Sequence, residues 1–243
     1  MPRNRQALAA RRGALSALFL GVLAPLVLFG LLAEDVWQRE GIGWDGRILL
    51  AVHARATPTF DAIMLLFTRI GAPLPMILFV AAILLLLFLR GHYADTLFLI
   101  GAIGGAAALN LLAKLLFQRA RPALWPALSP ETDYGFPSGH AMGSLAVVAS
   151  LTILLWPTRW RWTTLALGAL FVAAVGLSRV YLGVHYPSDV LAGWGASLAW
   201  VTGTHLVWSA ARRRLRPQMP QEGVVGRLSA LGDRSGDAMG AGR

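Results

Sequence analysis

Three short stretches of the chain carry residue types suited to handling a phosphoryl group. The first is Lys114, six residues, then Arg121-Pro122; the second is Pro137-Ser138-Gly139-His140; the third is Ser178-Arg179, five residues, His185, three residues, Asp189. Lys114 is the only lysine in the sequence. On a continuing helix Lys114 and Arg121 share a face, roughly 10 Å apart along the axis, and can close on one dianion between them. Pro122 disfavours helix at Arg121, so the helix is expected to end there and free the guanidinium for two-pronged contact with phosphate oxygens. Ser138 and Gly139 are expected to open a helix whose unpaired N–H groups and positive dipole end attract an anion. Gly139 lets backbone approach the ligand, and His140 on the first turn points at it. In the third stretch Pro187 suits the first helical position, which puts Asp189 at the third, with its carboxylate reaching back past the cap towards His185. Asp189 can then take the proton of one imidazole nitrogen and leave the other free to attack, while Arg179 adds a third cation.

Those stretches need elements to hold them, and the composition says the elements lie in lipid. Of 243 residues 56% are hydrophobic and 14% charged, against about a quarter charged in soluble domains. Long runs have no ionisable side chain. The net charge of +10 sits at the termini and in short loops, not in a basic stripe with exposed aromatics, so no nucleic-acid partner is expected. With no cysteine, disulfide, thiol and Cys-metal chemistry are excluded. Six apolar spans are expected, at about 13–33, 71–89, 94–117, 140–156, 162–177 and 190–208, the first too long to be a cleaved signal. Phe60, Ile63, Met64 and Phe67 follow i, i+3, i+4, i+7 spacing and predict an amphipathic surface helix before the second span. The fold class is thus all-α: an integral membrane bundle of six transmembrane helices plus that surface helix. Residues 1–12 read as a basic cytoplasmic tail, 13–209 as the membrane domain, and 210–243 as a second basic, disordered tail.

Six spans put both termini on one side. With that side cytoplasmic it carries fourteen of the 22 basic residues, from Arg3, Arg5, Arg11 and Arg12 through Arg90, Arg159 and Arg161 to the Arg212–Arg216 cluster and beyond. Helix parity then delivers all three stretches to the opposite face. The expected location is the cell (inner) membrane, with termini cytoplasmic and the site at the periplasmic or extracellular face.

Together and in order, the three stretches resemble the motifs of the type-2 phosphatidic acid phosphatase family, whose superfamily includes vanadium haloperoxidases and glucose-6-phosphatase. Every motif position is filled, and the resemblance covers about residues 43 to 209. It implies that His185 is a nucleophile forming a phosphohistidine, oriented by Asp189, and that His140 protonates the leaving lipid oxygen and then activates water. It implies that Lys114, Arg121, Ser138, Gly139 and Arg179 cradle the phosphoryl oxygens. No metal or other cofactor is implied, and the acids on this face, Asp45, Glu131 and Asp133 among them, lack two-metal spacing. The partners are the bilayer and a lipid phosphate or diphosphate. Undecaprenyl diphosphate is the first expectation, with phosphatidylglycerol phosphate, phosphatidic acid and diacylglycerol diphosphate behind it, and a lipid phosphotransferase as the alternative; the sequence does not indicate an oligomeric state. His53, His92 and His205 match no motif and read as packing or interfacial residues, Asn110 as a bridge between helices, and Tyr134, Phe136 and Tyr186 as interfacial packing.

Overall fold

A computed structural model of the chain describes residue 13 and residues 15–39, 41–129 and 131–215, with side chains as far as residue 212. The two expected tails thus lie largely outside the described residues. Met1–Trp208 form one compact unit and Ser209–Arg243 a second, and the features below belong to the first.

Among the described residues every regular element is a helix. They are α1 (Leu15–Trp37), α2 (Asp45–His53), α3 (Pro58–Ile70), α4 (Pro73–Leu89), α5 (Tyr93–Phe117), α6 (Gly139–Leu155), α7 (Arg161–Tyr181) and α8 (Pro187–Leu215). Each of the six expected apolar runs is therefore helical. By length and composition α1, α5 and α7 can each cross a membrane alone; α3 and α4 do so as a pair bent by 46°, and α6 is apolar but shorter. Lipid explains α4 best: it is apolar on every side and none of its residues is buried.

Helix α3 forms where the spacing predicts it, started by Thr57, whose hydroxyl accepts the Phe60 N–H at 3.3 Å, and by Pro58. Its inward face differs from the expectation. Of the four periodic apolar residues only Met64 is buried, and Thr68 is buried with it. The reason is α7: the Tyr181 hydroxyl donates to Asp61 at 2.6 Å and Arg179 donates to Thr68, so polar partners choose the docking face. Helix α2, inside a stretch with no clear pattern, buries Asp45 and Leu49.

Helices α6 and α8 form the spine. Residues of α8 enter three apolar clusters: Val201 with Phe98 and Met142, Ala192 with Leu32 and Val36, and Val190 with Leu49 and Ala141. Small residues set the spacings. A Cβ on Gly193 would lie 2.9 Å from the Ser138 carbonyl oxygen, so only glycine lets α8 cross the start of α6 this closely. Within α5 the turn Ile100–Gly104 is π-wound, and the Trp200 indole, resting on Gly105, donates to the Gly101 carbonyl at 3.0 Å. Gly143 differs: a Cβ there would meet open space, and the residue lines a groove.

Candidate active site

The first stretch does not run on one helix. Helix α5 stops at Phe117, because Gln118 turns left-handed (φ 47°) and donates its N–H to the Lys114 carbonyl at 3.0 Å. The chain therefore breaks before the position at which Pro122 would have ended the helix, and Arg121 reaches the site from an irregular segment. Lys114 donates to the Tyr134 carbonyl at 2.8 Å and pairs with Asp133. Arg121 Nη1 donates to the Val184 carbonyl at 2.8 Å, and its Nη2 pairs with Asp133 at 2.5 Å and Glu131 at 2.6 Å.

The second stretch opens α6 as its residues predict. Ser138 is extended (φ −66°, ψ 117°) and Gly139 begins the helix. Two contacts pin this start: Asn110 donates to the Pro137 carbonyl at 3.1 Å, and the Ser138 N–H donates to the Asp189 carbonyl at 3.0 Å. The second contact requires the close crossing at Gly193. The buried Ser138 hydroxyl has no hydrogen-bond partner among the described residues, and neither has Arg179 Nε. Buried donors in that state suit an anion.

In the third stretch Pro187 takes the first turn of α8, and Asp189 Oδ2 accepts the Tyr186 N–H at 2.9 Å, closing the cap. The same oxygen lies 3.4 Å from His185 Nδ1. Arg121 Nη1 is 2.9 Å from His185 Nε2. A guanidinium can only donate, so Nε2 is the bare nitrogen and the ring proton sits on Nδ1, facing Asp189. Burial, reinforced by Arg121 and Arg179, holds the His185 imidazole well below its ordinary pKa, so it is neutral at physiological pH. A neutral ring with an available Nε2 lone pair is the nucleophilic form.

Between these groups stands the carboxylate of Glu131. It pairs with Arg179 and Arg121, with Oε1 3.8 Å from His140 Nδ1 and Oε2 3.9 Å from His185 Nε2. One planar anion thus touches both imidazoles and two guanidiniums, while Asp133 takes Lys114 and the rest of Arg121. Burial raises the Asp133 pKa, but hydrogen bonds from Lys114 and Arg121 outweigh it and hold the carboxyl at about 2. The sequence reading left both acids without a role; in the structure they occupy the cradle. An external oxyanion must compete with them. Glu131→Gln is therefore expected to tighten inhibition by orthovanadate about fivefold, since one screened ion pair is worth roughly 1 kcal/mol. Unchanged or weaker inhibition would show that the carboxylate is no competitor.

From this polar end an apolar groove of about 550 Å³ runs between α4, α5 and α6. Met76, Val80 and Leu84 form one wall and Ile103, Ala106 and Val147 the other, while Lys114, His140, Glu131 and Asp133 line its head. Its volume suits a lipid-sized ligand.

Of the eight candidate residues Lys114, Gly139 and His140 line the groove; Arg121, Arg179 and His185 join them around Glu131, and Asp189 and Ser138 stand behind through His185 and the Ser138 N–H. Sequence reasoning missed Arg119, Asp45 and Ser188, which sit behind Asp189, and Thr68, which holds Arg179. The available signal was weak: a second arginine two residues before Arg121 and a lone acid in a patternless stretch. Of the remaining histidines two pack, His53 stacked on Trp125 at 3.9 Å and His205 against Phe98 and Trp208, while His92 is exposed beside Asp95 at 3.5 Å.

Known proteins resemble this chain in sequence and fold. The family model described as the PAP2 superfamily matches residues 95–213. An undecaprenyl-diphosphatase of Sulfolobus acidocaldarius is 31% identical over 178 residues, 70% of this chain and 82% of that protein. Phosphatidylglycerophosphatase B of Bacillus subtilis is 31% identical over 180 residues, 71% and 87% of the two chains. The crystal structure of a transmembrane PAP2-type phosphatidylglycerolphosphate phosphatase from Bacillus subtilis superposes with a TM-score of 0.67 at 25% identity, over 81% of this chain and 98% of that one. The chain belongs to the PAP2 superfamily and is a membrane-embedded phosphatase.

Proposed function

We propose that this chain hydrolyses a lipid phosphomonoester or diphosphate through a phosphohistidine on His185. The observation that carries the reading is the Glu131 carboxylate, which spans the two imidazoles within 3.8–3.9 Å and pairs with Arg121 and Arg179. A phosphoryl group in its place would meet the same four side chains. His185 Nε2 attacks phosphorus, a P–N bond forms, and the bond to the lipid-side oxygen breaks as His140 gives that oxygen a proton. Water then attacks phosphorus, His140 takes the water proton, the P–N bond breaks, and phosphate leaves. Asp189 holds the proton-bearing Nδ1 of the nucleophile. Lys114, Arg121, Arg179, the free Ser138 hydroxyl and the backbone at Gly139 stabilise charge on the equatorial oxygens.

The lipid tail lies in the apolar groove, with its head at Lys114 and His140. Undecaprenyl diphosphate is the first substrate proposed and phosphatidylglycerol phosphate the second; the two relatives named for these lipids are equally identical to the chain, at 31%. The membrane domain is proposed to cross the bilayer six times, with both tails cytoplasmic and the pocket outside, on the strength of helix parity and the placement of arginine. One experiment tests activity and orientation together: phosphate release from polyprenyl and glycerolipid phosphates in right-side-out and inverted membrane vesicles. Release is expected from lipid in the outer leaflet of right-side-out vesicles. No release from any lipid would remove the activity, and release from inverted vesicles alone would reverse the topology.

A further inference from the structure

Behind Asp189, on the side away from the groove, lies a charged cluster that the mechanism above does not use. Arg119 Nη1 donates to Asp189 Oδ1 at 2.5 Å and to the Ser188 hydroxyl at 2.7 Å, and its Nη2 donates to Asp45 Oδ2 at 2.9 Å. Asp45, buried at the start of α2, also accepts the Ser188 N–H at 3.0 Å and the Ser188 hydroxyl at 2.5 Å. The guanidinium lies over the Tyr186 ring, 4.3 Å from its centroid. Its two terminal nitrogens are thus committed to two carboxylates and a hydroxyl, and its flat face to an aromatic ring.

Asp189 is left with no freedom. Oδ1 is held by Arg119, and Oδ2 by the Tyr186 N–H, which leaves Oδ2 facing His185 Nδ1 at 3.4 Å. From this geometry we infer that Arg119 and Asp45 are positioning residues for hydrolysis: Arg119 fixes Asp189 as an ionised, correctly turned partner of His185, and Asp45 sets how strongly it does so. The inference rests on the nucleophile reading of His185. It also gives α2 a part in the reaction, where the sequence suggested none.

The energetics point the same way. A carboxylate this deeply buried favours its neutral form, and Asp189 is raised to about 6 by burial, with Arg119 the strongest influence opposing the rise. The charged groups around the Asp189–His185 pair are Arg119 and Arg121 from the segment after α5, Arg179 from α7, Lys114 from α5, Glu131 from the loop before α6, and Asp45 from α2. Of these, only Arg119 and Asp45 stand on the Asp189 side without touching the cradle. Protonated Asp189 loses the negative charge that steadies the imidazole as its Nε2 attacks, so activity falls as pH drops through its pKa. Removing the Arg119 charge must raise that pKa, and removing the Asp45 charge, which opposes Arg119, must lower it.

The test is the pH dependence of kcat and KM for phosphate release from a lipid phosphate in detergent, in the full-length enzyme. Arg119→Gln is expected to move the acid limb up by about one pH unit, with a kcat loss of roughly tenfold or more below the limb and a KM within about threefold of wild type. Asp45→Asn keeps the side chain's shape and one of its two acceptor oxygens while removing the charge, and is expected to move the limb down. Arg119→Lys keeps the charge and is expected to leave the limb near its wild-type position even as kcat falls. A structural role alone would lower the rate evenly across pH and would not produce shifts of opposite sign. A limb unmoved in Asp45→Asn, together with an unmoved or unfolded Arg119→Gln, would overturn the inference. A rise in KM at constant kcat would overturn it as well, by making Arg119 a substrate contact. An active wild type with unshifted variants sinks only this inference; a wild type that releases no phosphate removes the reading beneath it.

Discussion

His185→Ala is expected to lower phosphate release by at least about a thousandfold while leaving the helical fold in place. The imidazole is buried, neutral, and holds its bare Nε2 against Arg121 at 2.9 Å with Nδ1 towards Asp189. Of the two imidazoles only His185 holds a bare nitrogen there, because His140 stands at the other oxygen of Glu131 and faces it through Nδ1. Circular dichroism checks folding, and single-turnover trapping of labelled phosphate on the protein checks the intermediate. Near-normal turnover in a folded variant would remove His185 from the nucleophile's role. Retained labelling of the variant would place the covalent phosphate elsewhere.

Arg121→Ala is expected to lower kcat/KM by about a hundred- to a thousandfold, the usual effect of removing one donor that meets developing charge. The expectation draws on the whole fork. Nε donates to the Asp133 carbonyl at 2.8 Å, Nη1 serves both Val184 and His185, and Nη2 meets Glu131 and Asp133. A lysine cannot reproduce two parallel donors, so Arg121→Lys is expected to recover no more than about a tenth of the loss. Full activity in Arg121→Lys would mean that charge alone matters and that the forked geometry is incidental.

Much of this protein is governed by local rules, and those parts were legible. Apolar runs become helices because lipid leaves backbone groups no other partner, and helices cover all six, five within about four residues of their expected ends and the last running on to Leu215, seven residues past its own. The cap at Pro187 and Asp189 and the opening of α6 at Gly139 follow from residues within one turn of each other. The three stretches meet around Glu131 and at the Ser138–Asp189 contact, a grouping that helix parity anticipates without fixing the number of spans. What escaped was non-local. Arg119 finds Asp45 across 74 residues of sequence, and Asp45 finds Ser188 across 143, with no periodicity to announce either contact. The inward face of α3 followed Arg179 and Tyr181 rather than its own apolar spacing. The apolar span ends at 117 as expected, but the helix does not run on to Arg121, because a left-handed Gln118 pre-empts the proline signal four residues later. Glu131 and Asp133 escaped for a different reason: an acid that fills an anion's place looks like an error in the pattern until the cations around it are seen.

The bend between α3 and α4 has a consequence for how the products part. It leans α4 so that the groove is walled on one flank by a helix with no buried residue, while the head of the groove sits beneath the loop carrying Glu131. A dephosphorylated lipid can slip sideways into hydrocarbon, and orthophosphate can depart upward into water. Two products dispersing into different phases have little chance of meeting again at the site, so the reverse reaction is starved by geography rather than by any feature of the catalytic groups.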